Sequence, residues 1–261
     1  MQKNSLFKKS VVVAVILFFI SVSAFTATAY NEIEKRSLPT SNGTTFYVGG
    51  SGPGNYTSIQ EAIDAASDGD TVFVYDDSSP YYEHVRIDKE IVLTGEATRT
   101  TIIDGMNSSE VLLLTANNVT VQGFTITNGT TGIQIPGDYA IIKRNIICDN
   151  YDFGISIGGF GDSAVVSENT IRDNGHQIPN TTTYGGIMLG LTASNKITSN
   201  NFLNNTLHAF FFKAFLNLWL FNYWDRPRLL PYPIFGLQAI IPPIFWVQFD
   251  FRPRLTPYII P

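Results

Sequence analysis

Apolar and polar positions alternate along this chain in short bursts, and between residues 118 and 212 the bursts recur in a fixed frame. The frame reads apolar, two residues, Asn, one residue, apolar, two residues, Asn. It is filled by Ile142, Asn145, Ile147 and Asn150, then by Val166, Asn169, Ile171 and Asn174, then by Ile197, Asn200, Phe202 and Asn205. A less regular copy, Val121, Phe124, Ile126 and Asn128, precedes them. A shorter apolar alternation follows each copy: Ile133 and Ile135, Ile155 and Ile157, Ile187 and Leu189, Phe210 and Phe212. The closing asparagines at 128, 150, 174 and 205 are 22, 24 and 31 residues apart, and the long step places an insertion at residues 177–183.

A period in the low twenties is too short for paired helices, and two alternations per period are too strand-rich for a leucine-rich horseshoe. The pattern predicts a solenoid of β-coils, each strand adding a rung about 4.8 Å further along the axis. Apolar residues at one phase then stack into an interior column. Asparagine recurring at a corner stacks too, because its amide donates to the next rung and accepts from the last. The repeats at residues 141–157 (IIKRNIICDNYDFGISI), 165–176 (VVSENTIRDNGH) and 196–205 (KITSNNFLNN) resemble those of right-handed parallel β-helix proteins. Within that superfamily the likeness is to the NosD-type and carbohydrate-binding or sugar-hydrolase repeats, the pectate-lyase-like group, and it covers roughly residues 56–224. It implies an all-β fold and leaves activity open, since this fold hosts lyases, hydrolases, adhesins and inert scaffolds.

Other segments frame the repeat. Lys3, Lys8 and Lys9 precede an apolar run from Val11 to Ile20, and Ala27, Thr28 and Ala29 close it, the order of a secretory signal peptide over residues 1–29. An uncleaved membrane anchor is the alternative. Residues 30–55 read as a polar, glycine-rich linker. Ser58 and Glu61 form a capping-box pattern before Ile59, Ala62, Ile63 and Ala66, which share a helical face, so a helix is expected to cap the first rung. The β-helix with this cap is assigned residues 56–212, and residues 213–261 the last coils and an aromatic, proline-rich C-terminal cap. The aromatic stretch from Thr206 to Tyr223 keeps the β period and is broken by His208, Lys213, Asn217 and Asn222, so it is not read as a membrane span.

Charge divides the chain. The 17 basic and 22 acidic residues become 14 and 22 without the signal segment, which holds three lysines and no acid. Residues 206–261 carry five basic and two acidic side chains, so an acidic body ends in a basic tail. The acidic body argues against nucleic acid as a partner. Cys148 is the sole cysteine, which excludes an intramolecular disulfide.

Two places could carry chemistry. Asp149 and Asp173 share a phase in adjacent coils; two carboxylates a rung apart repel unless one is protonated or a cation such as calcium lies between them. Arg172, next to Asp173, is expected to point the other way, as neighbours in a strand do. Stacked acids of this kind hold calcium or act as acid and base in polysaccharide-degrading β-helices, so the resemblance makes Asp149 and Asp173 candidate catalytic or calcium residues. Corner carboxylates capping backbone amides is the structural alternative. The second place is a repeat, DRPRLLPY at 225–232 and FRPRLTPY at 251–258, offset by 26 residues. Arg226, Arg228, Arg252 and Arg254, with Trp224, Tyr232 and Tyr258 beside them, would make a ladder suited to acidic sugars or an anionic envelope surface. The alternative is a cap whose prolines prevent edge pairing.

The expectation is an exported, monomeric, non-catalytic surface protein that binds polysaccharide or another envelope component, with membrane contact only through an uncleaved N-terminal segment. A polysaccharide lyase or glycoside hydrolase acting on acidic glycans is the alternative. NosD-like copper delivery is remote, because the histidines and methionines are scattered. No cofactor is expected apart from the calcium candidate.

Overall fold

A computed structural model describes residues 43–159, 161–175, 184–240 and 243–260. The expected signal segment and the insertion at 177–183 lie outside the described residues. Three short strands per coil build a parallel solenoid. One stack comprises β1 (Thr45–Val48), β2 (Thr71–Val74), β5 (Val92–Gly95), β8 (Thr120–Gln122), β11 (Ile141–Lys143), β14 (Val165–Ser167), β17 (Lys196–Thr198) and β20 (Leu218–Leu220), eight rungs in all. A second stack contains β4 (Val85–Ile87), β7 (Glu110–Leu114), β10 (Thr131–Ile135), β13 (Phe153–Gly158), β16 (Gly185–Gly190) and β19 (Ala209–Phe212). A separate seven-stranded sheet is formed by β3 (Tyr81–Tyr82), β6 (Ile102–Asp104), β9 (Thr125–Thr127), β12 (Ile146–Cys148), β15 (Thr170–Arg172), β18 (Asn201–Leu203) and β21 (Tyr223–Trp224).

The repeat positions stack as the sequence demands. Val121, Ile142, Val166, Ile197 and Trp219 are register partners in successive rungs, and so are Ile126, Ile147, Ile171, Phe202 and Trp224. All of them are buried, and burying one such aliphatic side chain is worth about 2 kcal/mol. The columns grow from Val and Ile to Phe and Trp toward the C-terminal end. The second stack aligns Leu112, Ile133, Ile155, Ile187 and Ala209. In its last rung Ala209 and Phe211, not Phe210 and Phe212, face inward. Ala209 follows Asn205 by four positions, whereas Ile155 follows Asn150 by five, and a one-residue shift exchanges the faces of a strand.

Asparagines hold the corners. The residue before each is in the left-handed region, as at Arg144, Glu168, Ser199 and Phe221, which bends the chain between strands. Asn145 Nδ2 donates to Asn169 Oδ1, Asn169 to Asn200 and Asn200 to Asn222, at 3.2, 3.0 and 3.0 Å. Each Oδ1 also accepts the backbone N–H of the preceding rung's asparagine. A second ladder runs Asn150, Asn174, Asn205, and a third joins Asn195 to Asn217. Gly132, Gly154 and Gly186 leave room for the second: a Cβ there would come within 2.8, 2.9 and 3.2 Å of the Nδ2 of Asn150, Asn174 and Asn205.

Both ends depart from expectation. β1 lies inside the stretch read as linker, its alternation hidden among glycines and polar residues. The helix α1 (Ile59–Ala65) forms as expected, with Ser58 as its N-cap accepting from Glu61 N–H and with Ile59, Ala62 and Ala66 against the core, and its N-terminus is also met by Glu83 of the next coil. Glu83 accepts from Ser58 Oγ and from the backbone N–H of Ile59 and Gln60 at 2.9, 2.9 and 3.0 Å. Gln60 in turn accepts from Arg86 N–H and donates to Arg86 C=O, so one side chain stands where β4 lacks a neighbouring strand. At the other end β22 (Tyr232–Ile240) and β23 (Pro243–Asp250) form an antiparallel hairpin that pairs with both β19 and β20. Pro243 does not prevent pairing, because it is the first residue of its strand. Gly236 seats the hairpin: a Cβ there would lie 2.2 Å from Phe211 O.

Candidate functional site

The corner before the second asparagine ladder carries the acidic pair. Asp149, Asp173, Asn204 and Asp225 all take the left-handed conformation immediately after a strand of the seven-stranded sheet ends, so they stack as one column. Arg172 does not point away. Asp173 sits in the corner rather than in the strand, so strand alternation does not apply, and the guanidinium bonds Asp173 and comes within 3.8 Å of Asp149 Oδ2. Asn204 Nδ2 donates to Asp173 Oδ1 at 2.6 Å, and Asn204 N–H to Asp225 Oδ1 at 2.9 Å. A positive side chain thus lies between the two carboxylates, the place a cation would take. Among the described residues no three His, Cys, Asp or Glu side chains cluster as metal ligands. Cys148 points outward from β12, covered rather than in the core cluster, and burial pushes its thiol up to about 12.

The two arginine-proline segments do not stack as successive rungs. The first leads into β22 and the second leaves β23, so they flank the base of the antiparallel hairpin, where Tyr232 pairs with Asp250. Each repeats one contact: Arg228 lies over the Tyr232 ring at 4.6 Å, and Arg254 over Tyr258 at 4.4 Å. Arg226 and Arg252 are exposed. Trp224 is 0% exposed, stacked between Phe202 and Tyr232 at 4.4 and 4.1 Å, so it belongs to the core and not to a surface ladder. Tyr258 is tied to the body through Asn201 and through Phe221 C=O.

Asp250 ends the first asparagine ladder. Its Oδ2 accepts from Asn222 N–H, Asn222 Nδ2 and Trp224 Nε1, and its Oδ1 from Arg252 N–H. Burial nonetheless raises its pKa above the ordinary carboxylate value. His208, within reach of Asn205 Nδ2 and ringed by Phe202, Trp224 and Tyr232, is held below its usual pKa by burial.

The hairpin's inner face encloses what the sequence did not show. A cavity of about 320 Å³ is lined by Ala214, Phe215, Leu216 and Asn217 from the last coil and by Gln238, Ile244, Trp246 and Gln248 from the hairpin. Gln238 and Gln248 both donate to Ala214 C=O, and Trp219 Nε1 donates to Gln248 Oε1. Asn217 Nδ2 and Gln238 Oε1 are left without partners. Asn217 is the last member of its ladder, so its donor has no further rung to meet. Trp246 overhangs the cavity, 57% exposed. Its sequence signal was slight: an asparagine at ladder phase with no successor.

Residues 91–218 match the family described as "Right handed beta helix region". Among curated proteins none matches the sequence. The fold is similar to that of an alginate lyase from Paenibacillus sp. str. FPU-7, at 12% identity and a TM-score of 0.53 over 69% of this chain and 72% of that one. It is also similar to pectate lyase Pel9A, at 14% identity and a TM-score of 0.52 over 68% of this chain and 56% of that one. At such identities the likeness is one of fold. With parallel stacks, asparagine corners and a family match through its centre, this chain has the fold of a right-handed parallel β-helix.

Proposed function

We propose that the protein is exported and binds carbohydrate without cleaving it, through the cavity under the C-terminal hairpin. The observation that carries this reading is an exposed Trp246 over a cavity lined by Asn217 and Gln238, whose Nδ2 and Oε1 are buried without partners. A sugar ring offers an apolar C–H face to an indole, and its hydroxyl groups accept from an amide N–H while donating to an amide oxygen. Export rests on Lys3, Lys8 and Lys9 followed by the apolar run and Ala27–Ala29. A polysaccharide partner accords with the similar proteins being an alginate lyase and a pectate lyase. Asp149 and Asp173 serve here as corner residues, since Arg172 and Asn204 already engage them.

The test is a thermal-shift and chromatographic assay against oligosaccharides of neutral sugars and of uronates. A ligand that prefers the folded state raises Tm, by about 2.7 kcal/mol of stability at a hundred times Kd. The expected result is a rise with at least one oligosaccharide, abolished by Trp246→Ala, with no shortening of the chain. Product release that depends on Asp149 and Asp173 would instead establish the lyase or hydrolase alternative.

A further inference from the structure

The hairpin's two faces differ. In the antiparallel register Pro233 faces Phe249, Phe235 faces Val247 and Leu237 faces Phe245, and opposed residues share a face. These six apolar side chains form the outer face, with Phe245 77% and Phe235 60% exposed. The crowding is local: among the described residues eleven of the seventeen exposed large hydrophobics lie between Phe215 and Ile259. Leu229, Leu230 and Ile259 add to it beside the hairpin base. An apolar sheet face of this kind marks a contact with something else.

Charge selects the occupant. Arg226, Arg228, Arg252 and Arg254 lie on the segments that enter and leave the hairpin, and among the described residues none forms an ion pair. The two acids of residues 206–261 do not offset them: Asp250 is buried, and Asp225 is turned to the corner column. A second copy docked on this face would bring two sets of four arginines together. A bilayer with anionic headgroups takes both features, the aromatic face at the acyl boundary and the guanidinium groups among the phosphates. We infer that the outer face of the C-terminal hairpin is a docking surface for anionic lipid. This goes beyond carbohydrate binding and is independent of it, because Trp246 lies on the opposite face of the same hairpin.

The experiment is co-sedimentation of the full chain with vesicles of phosphatidylcholine alone and of phosphatidylcholine with phosphatidylglycerol. Binding to the anionic vesicles that weakens as salt rises is expected. Phe235→Ser with Phe245→Ser should weaken it roughly a hundredfold or more. Arg226→Gln with Arg252→Gln, both at exposed positions, should weaken it about thirty-fold and remove most of the salt dependence, with the circular dichroism spectrum and Tm unchanged. Loss in the phenylalanine pair with an altered spectrum is read from the arginine pair instead. Binding that is indifferent to phosphatidylglycerol, or untouched by the arginine pair, overturns the inference. So does a dimer in light scattering that Phe245→Ser dissociates, since the face would then be covered by a second copy. Oligosaccharide binding by the arginine variant keeps the two readings separable.

Discussion

The repeat body and the C-terminal hairpin use the same kinds of residue to opposite ends. In the body each ladder asparagine is met by its counterpart one rung away, and the apolar columns close on themselves. In the end region the ladders run out. Among the described residues, three of the four buried side-chain nitrogen and oxygen atoms without partners, on Asn217, Arg228 and Gln238, lie there, alongside most of the exposed large apolar side chains. A repeat satisfies its polar groups by translation, so interaction capacity is left where translation stops.

The sharpest way to break this contrast is to remove a rung's polar link from the body. Asn169→Ala takes away the acceptor for Asn145 N–H and Nδ2 and three donor bonds, and should cost about 3 kcal/mol in denaturant unfolding. A cost below about 1 kcal/mol would mean water replaces the ladder. Asp250→Ala strands four donors but also relieves a buried carboxylate, so the net loss should be smaller, about 2 kcal/mol. Trp246→Ala should change stability by less than about 0.5 kcal/mol while removing sugar binding, because the side chain is largely exposed.

The smallest effect is one of pH. Burial lowers the folded-state pKa of His208, with Asp225 opposing and Arg228 reinforcing the shift. The unfolded chain therefore takes up this proton first, and stability falls as pH drops through about 6.5 toward the folded value. Asp250 acts in the other direction: its raised pKa makes the folded state bind a proton first, so its contribution rises as pH falls toward about 3.8. His208→Gln should flatten the slope of Tm between pH 7 and the lower limit of His208 titration and leave the more acidic limb in place.

What the chain discloses in advance follows the same division. The columns through Ile142, Ile147 and Ile155 and the ladder through Asn145 and Asn150 were legible, since stacking fixes both residue type and spacing. β1 was not, because four residues of alternation carry little signal beside a glycine-rich turn. The inward Phe211 was missed through a corner one residue shorter, and Arg172 through treating a corner as a strand. The cavity depends on residues 214–217 meeting residues 238–248, a closure that no local period encodes.

The terminating contact at the other end has a consequence for length. Gln60 closes the edge of β4 from a helix that lies outside the repeat, and the hairpin closes the far end from outside it as well. Neither device reads how many coils lie between them. A duplicated coil of the 22- or 24-residue kind would present the same amide donors and acceptors to its neighbours on both sides. The molecule is in this sense a ruler with fixed ends, whose span can be changed in single units without redesigning either one.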